Sequence, residues 1–155
     1  MTAERRPSTT SDEDPVVLSW GYGPRAVGLA REELRKSLAG WGLTAAEDPA
    51  VLVLSELLTN AQRYGRVPGR EIQTRFIRLG GGAGGGVRVE VHDASPRVPH
   101  RREAAPDECE GRGLSLVNLV ADRWGVSDRN GPGKLVWAEC TPEQQTPTMT
   151  KAANR

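Results

Sequence analysis

The sequence predicts an α+β fold of about five strands and about three helices. Three observations carry this: two stretches with apolar residues at helical spacing, a stretch in which valine alternates with polar residues, and two closing strands joined by a strong turn signal. The elements follow in order. Val16-Val17-Leu18-Ser19-Trp20 is β-branched and aromatic and stops at the turn signal Gly21-Tyr22-Gly23-Pro24, which marks an opening strand. Val27, Ala30, Leu34 and Leu38 then fall on one helical face, with Arg31, Glu32, Arg35 and Lys36 largely opposite; Pro24 suits the first turn and Gly40 the stop.

In the second helix Ala50, Val53, Leu54, Leu57, Leu58, Ala61 and Tyr64 form one apolar arc that ends at Gly65. Thr44 with Glu47 resembles a capping box, but Pro49 would then lie inside the helix, so Asp48 as N-cap with Pro49 as first helical residue is preferred. A strand is expected over 70–79. The glycine run 80–86 invites a phosphate-cradle reading, yet no Lys-Ser or Lys-Thr follows and a strand begins directly after it, so it reads as a hairpin connection.

In Val87-Arg88-Val89-Glu90-Val91-His92-Asp93 the period-two pattern places Asp93 on the valine face. A charged region with three prolines leads to Gly111-Arg112-Gly113, and a helix is expected from near Leu114. The closing strands are Trp124–Asp128 and Lys134–Cys140, joined through Arg129-Asn130-Gly131-Pro132-Gly133.

At 155 residues the chain fits one domain, expected over 15–140, with polar tails at 1–14 and 141–155 too poor in apolar side chains to repay ordering. Its 21 basic and 20 acidic residues are interspersed, which argues against nucleic acid as the main partner. Cys109 and Cys140 have no metal or redox spacing and read as free thiols of a reducing compartment. With no signal-like or membrane-spanning run, a soluble cytoplasmic protein is expected.

Four features carry chemistry. Glu56 and Asn60, four residues apart, stand one above the other on a helix of about 3.6 residues per turn, so both can reach one ligand. Alone they read first as a solvated helix face. Asp93 either caps the turn Asp93-Ala94-Ser95-Pro96 or serves a ligand, since a carboxylate on a buried stripe is costly without a partner. Gly111 and Gly113 alone mark a helix entry or a phosphate site.

Their order is more specific than any one of them. A helix with Glu-x-x-x-Asn, a strand ending in Asp-x-Ser-Pro, and Gly-x-Gly-Leu opening a helix resemble the GHKL ATPase superfamily, whose Bergerat fold is a two-layer α/β sandwich. Its mixed, mostly antiparallel sheet carries the helices on one face. Within it the chain resembles the actinobacterial anti-sigma-factor serine/threonine kinases, over about residues 16–140. The phrases Trp41-Gly42-Leu43, Ser55-Glu56-Leu57-Leu58-Thr59-Asn60-Ala61 and Gly111-Arg112-Gly113-Leu114 carry that likeness.

The resemblance implies that Glu56 is the catalytic general base or orients the attacking group, and that Asn60 ligates Mg²⁺ on the phosphates of ATP. It implies that Asp93 accepts from the adenine amino group, and that Gly111, Arg112, Gly113 and Leu114 form the ATP lid. The implied reaction is phosphoryl transfer to Ser or Thr of an anti-anti-sigma protein, with a sigma factor as further partner and a homodimer as assembly. Two positions differ from the family pattern. Tyr64 stands where many members have histidine, and Leu135 where the last strand often has a threonine near the nucleotide. Loss of that hydroxyl motivates an alternative, a non-enzymatic nucleotide-gated module that regulates transcription by sequestering a partner.

Overall fold

The computed structural model describes residues 15–80, 85–95, 110–129 and 131–142, with the backbone alone for 110–114. Apart from 141–142, the two expected tails lie outside the described residues, as does Cys109. Element order is β1 (Val16–Trp20), α1 (Arg25–Trp41), α2 (Glu47–Tyr64), β2 (Ile72–Leu79), β3 (Gly86–Asp93), α3 (Glu110–Val120), β4 (Arg123–Asp128) and β5 (Lys134–Cys140). The strands form one sheet in the order β1-β2-β3-β5-β4, and every pairing is antiparallel, a more uniform sheet than the mixed one expected. The fold is an α+β sandwich with the helices layered on one face.

Strand alternation separates the two faces of the sheet. Val87, Val89 and Val91 of β3 join Val136, Ala138 and Cys140 of β5 and Ile72 and Phe76 of β2 against the helices. From α1 come Ala30, Leu34 and Leu38, and from α2 Ala50, Val53, Leu54, Leu57, Leu58 and Ala61, at the spacing of one helical face. Thr74 is fully buried on this apolar face, and the Trp20 indole N–H donates to its hydroxyl at 2.9 Å, which satisfies both groups.

Three helix boundaries differ from expectation. α1 runs through Gly40 and stops at Gly42, whose φ of 73° is left-handed; the Leu43 N–H reaches the Leu38 carbonyl at 2.8 Å. That closure needs a residue without Cβ strain, and Gly42 rather than Gly40 supplies it. α2 begins at Glu47 behind a 3₁₀ turn over Thr44–Ala46, so Ala46 is the cap and Pro49 is the third helical residue. A proline is tolerated there because first-turn N–H groups have no intrahelical acceptor, while Glu47 and Asp48 complement the helix dipole. α3 begins at Glu110, so Gly111-Arg112-Gly113 form its first turn and do not precede it.

The opposite face of the sheet carries a charged ladder. Arg88 donates to Glu90 at 2.8 Å and to Glu139 at 3.1 Å, Arg123 donates to Glu139 at 3.0 Å, and His92 Nε2 lies 2.9 Å from Glu90. The Arg88 guanidinium stacks 4.3 Å from the Trp137 ring, for which Gly125 leaves room: a Cβ there would meet Trp137 at 2.9 Å. Burial alone would raise the Glu90 carboxyl, but hydrogen bonds from His92 and Arg88 and the Arg88 charge outweigh it and hold it below its ordinary range.

A carboxyl lowered on folding adds stability above its unfolded value, near 4.3 for glutamate, and loses that contribution as pH falls through the folded value. Wild-type stability is therefore expected to decline below about pH 4.3, and Glu90→Gln should lower stability at neutral pH and flatten the acid decline. Urea unfolding across that range checks both, and parallel acid slopes for the two proteins would contradict the assignment.

Candidate functional site

A pocket opens between the C-terminal half of α2 and the ends of β3 and β5. Leu57, Asn60, Ala61, Tyr64 and Gly65 line it from the helix, and Val91, Asp93, Lys134 and Val136 from the sheet. Its walls are mainly apolar, with polar groups at Asn60, Tyr64, Asp93 and Lys134. An apolar slot with a few fixed polar groups is the usual form of a small-molecule site.

The period-two pattern of β3 sets Asp93 at the end of the helix-facing stripe, 2% exposed. Its Oδ1 accepts from the Ser95 backbone N–H at 2.9 Å, so the turn-capping reading holds. The same carboxylate also lines the pocket, so capping and ligand binding are compatible roles for one side chain. Lys134 Nζ donates to Asp93 Oδ1 at 2.8 Å, to Oδ2 at 3.1 Å and to the Ser95 carbonyl at 3.1 Å, which compensates the buried charge.

Lys134 escaped the residue-by-residue reading, although its signal was the one that marked Asp93. Lys134, Val136, Ala138 and Cys140 alternate as a buried stripe that begins with a charge. The pairing of β3 with β5 sets Lys134 opposite Asp93 and Leu135 opposite His92. Cross-strand partners share a face, so Leu135 belongs to the face away from the helices and pocket. The expectation that position 135 adjoins the nucleotide is thereby corrected: the residue beside Asp93 is Lys134.

Two glycines make the close packing around Asp93 possible. A Cβ on Gly65 would lie 2.6 Å from Asp93 Cγ and 2.9 Å from the Ala61 carbonyl oxygen. Gly133, with φ of 103°, would press a Cβ to 2.6 Å from Ala94 Cα. The end of α2 is braced from the loop after β1. The Tyr22 hydroxyl donates to the Gly65 carbonyl at 3.0 Å, and the Gly23 N–H donates to Gln62 at 3.2 Å. Burial, and then the negative charge of Asp93, raise the Tyr22 phenol above its ordinary range.

Of the residues singled out in the sequence, Asn60 and Asp93 meet in this pocket, on facing elements. Glu56 lies one turn earlier on α2, outside the pocket lining and half-buried, where burial raises its carboxyl above the ordinary range. That direction makes it a stronger proton acceptor. Gly111, Arg112, Gly113 and Leu114 open α3, which packs against α2. The backbone N–H groups of such a first turn lack intrahelical acceptors and point outward along the axis. Tyr64 forms part of the pocket wall and offers no imidazole there.

The donor set suits a nucleotide with a hard divalent cation. Asn60 supplies a neutral oxygen, the ligand type magnesium takes when phosphates and water fill its remaining positions. No cluster of three or more His, Cys, Asp or Glu side chains able to hold a metal occurs among the described residues. No helix among the described residues is long and apolar enough to cross a membrane.

The family model described as histidine kinase-like ATPase domain matches residues 23–139, most of the chain. Comparison with curated proteins gives no match.

Gly65→Ala should push the Asp93 carboxylate off its place, cost roughly 1–3 kcal/mol of stability as overpacked sites do, and close the pocket floor. Thermal unfolding checks the stability loss, and nucleotide titration the loss of binding. Wild-type values in both would show that the floor yields without cost.

Proposed function

The chain belongs to the histidine kinase-like ATPase family, the GHKL type, and is an ATP-binding protein; from this premise we propose that it is a serine/threonine kinase of the anti-sigma-factor type. The observation that carries the proposal is the convergence of Asn60 and Asp93 on one apolar pocket, with Glu56 a turn away on the same helix.

In this reading adenine lies between Val91 and Val136 on the sheet side and Leu57 and Ala61 on the helix side, its amino group donating to Asp93. Asn60 would hold a magnesium ion, which would offset the charge of the phosphates. The backbone N–H groups of Gly111, Arg112, Gly113 and Leu114, at the start of α3, would face the phosphates. Such chemistry requires positioning and charge compensation more than covalent assistance from protein.

Glu56 takes the proton from the acceptor hydroxyl as its oxygen bonds to the γ-phosphorus and the bond to the β-phosphate oxygen breaks, which leaves ADP. The raised Glu56 carboxyl supports this role, because a base is most effective when its affinity for protons approaches the working pH. The acceptor is a Ser or Thr of an anti-anti-sigma protein, with a sigma factor as the partner held in the alternative state and a homodimer as the working assembly. The protein acts in the cytoplasm and contacts no nucleic acid directly. The Ser55–Ala61 phrase and the Gly-Arg-Gly-Leu turn support this branch of the family.

Incubation with labelled ATP, magnesium and candidate anti-anti-sigma proteins tests the reading. Wild type should transfer label to a serine or threonine, and Glu56→Gln should bind ATP normally yet transfer about 100-fold more slowly or worse, the usual contribution of a general base. Asn60→Ala should lose the magnesium-dependent part of ATP affinity. Transfer unaffected by Glu56→Gln would overturn the base assignment, and binding with no transfer to any partner would replace the kinase by a nucleotide-gated module.

A further inference from the structure

Lys134 does more than neutralise Asp93. An ammonium has three N–H donors, and three acceptors lie in reach: Asp93 Oδ1, Asp93 Oδ2 and the Ser95 carbonyl. Asp93 Oδ1 also takes the Ser95 N–H, so its two acceptor directions are used. Oδ2 takes only the longer Lys134 contact among the described residues, and it lies against Gly65, which lines the pocket. One acceptor direction, on one identified oxygen of a pocket-lining residue, has no donor among the described residues.

We propose that Lys134 is the positioning residue that sets base selectivity: by donating to both carboxyl oxygens of Asp93 and fixing their orientation, it leaves Oδ2 as an acceptor at the pocket, which admits a 6-aminopurine and rejects a 6-oxopurine. The inference rests on the adenine reading of the pocket and adds the residue that enforces it. A 6-amino group donates to Oδ2, whereas a 6-oxo group would set a second acceptor against it, a mismatch a desolvated site does not tolerate. Without Lys134 the carboxyl at this position has no ammonium partner and no second anchor. It is then free to rotate, so that it can turn away from a 6-oxo group instead of opposing it with a fixed acceptor.

The test compares ATP with inosine triphosphate, which exchanges the 6-amino group for a 6-oxo group and adds no 2-amino group. Calorimetric titration of wild type should favour ATP by about tenfold or more. Lys134→Met should bring the two nucleotides to within about threefold of each other, and Lys134→Arg, which keeps a cation, should restore most of the preference. A Lys134→Met protein that keeps the wild-type ratio overturns the proposal, as does wild type that binds both nucleotides equally.

Should Lys134→Met fail to fold, the wild-type ammonium signal decides the matter. In protein labelled with ¹⁵N-lysine, one ammonium resonance, assigned by its loss in Lys134→Arg, should exchange slowly with solvent and persist when ATP is added. A fast-exchanging Lys134 ammonium overturns the proposal. If wild type binds neither nucleotide, the nucleotide-binding reading fails instead, so the two failures are distinct.

Discussion

The buried ion pair of Asp93 and Lys134 is the constraint on which the surrounding structure depends. Two charges cannot stay in an apolar cleft unless each is compensated, and removing one partner of such a pair is far more costly than the pair itself. The neighbouring geometry serves that requirement. β3 and β5 are registered so that the two residues face each other, Ser95 offers both its N–H and its carbonyl, and Gly65 and Gly133 withhold the side chains that would collide with Asp93. The pocket is thus fixed by the strand ends, and α2 supplies the opposite wall.

The two faces of the sheet solve the same problem differently. On the helix face one ion pair stands at the rim of a largely apolar layer. On the other face Arg88 and Arg123 pair with Glu90 and Glu139 in a connected ladder, His92 adds a hydrogen bond with Glu90, and Trp137 is shielded by a guanidinium. The ladder has no part in the pocket. It holds β3, β5 and β4 in the one register that sets Lys134 opposite Asp93, because a slip by one residue would exchange the faces of every side chain.

Much of this was legible in the sequence because periodicity reports burial directly. The valine alternation of β3 and the apolar arc of α2 placed Asp93 on the core face and the apolar and polar sides of the helix correctly. Helix ends were less legible, since Gly40 and Gly42 offer the same composition and only the left-handed backbone at 42 distinguishes them. Pro49 misled for a related reason: proline is tolerated at any position whose N–H has no acceptor, so its presence marks a first turn and not a first residue. Lys134 was missed because a lysine next to a glycine turn reads as a solvated strand end. Only the pairing of β3 with β5, which depends on long-range register, reveals what it faces.

The hydrogen bond from Trp20 to Thr74 spans 54 positions of chain and ties the edge strand β1 to the sheet. Among the described residues β1 pairs with β2 alone, and the family-matched region begins after it, at residue 23. Closing so long a loop gains little until α1 and α2 are already in place, which favours late docking of β1 in folding and early opening under stress. Two residues further on, Tyr22 rests on the carbonyl of Gly65 beside the pocket. Fraying of this peripheral strand therefore loosens the brace at the end of α2, and amide-exchange protection of the pocket rim is coupled to the outermost strand of the sheet rather than to its centre.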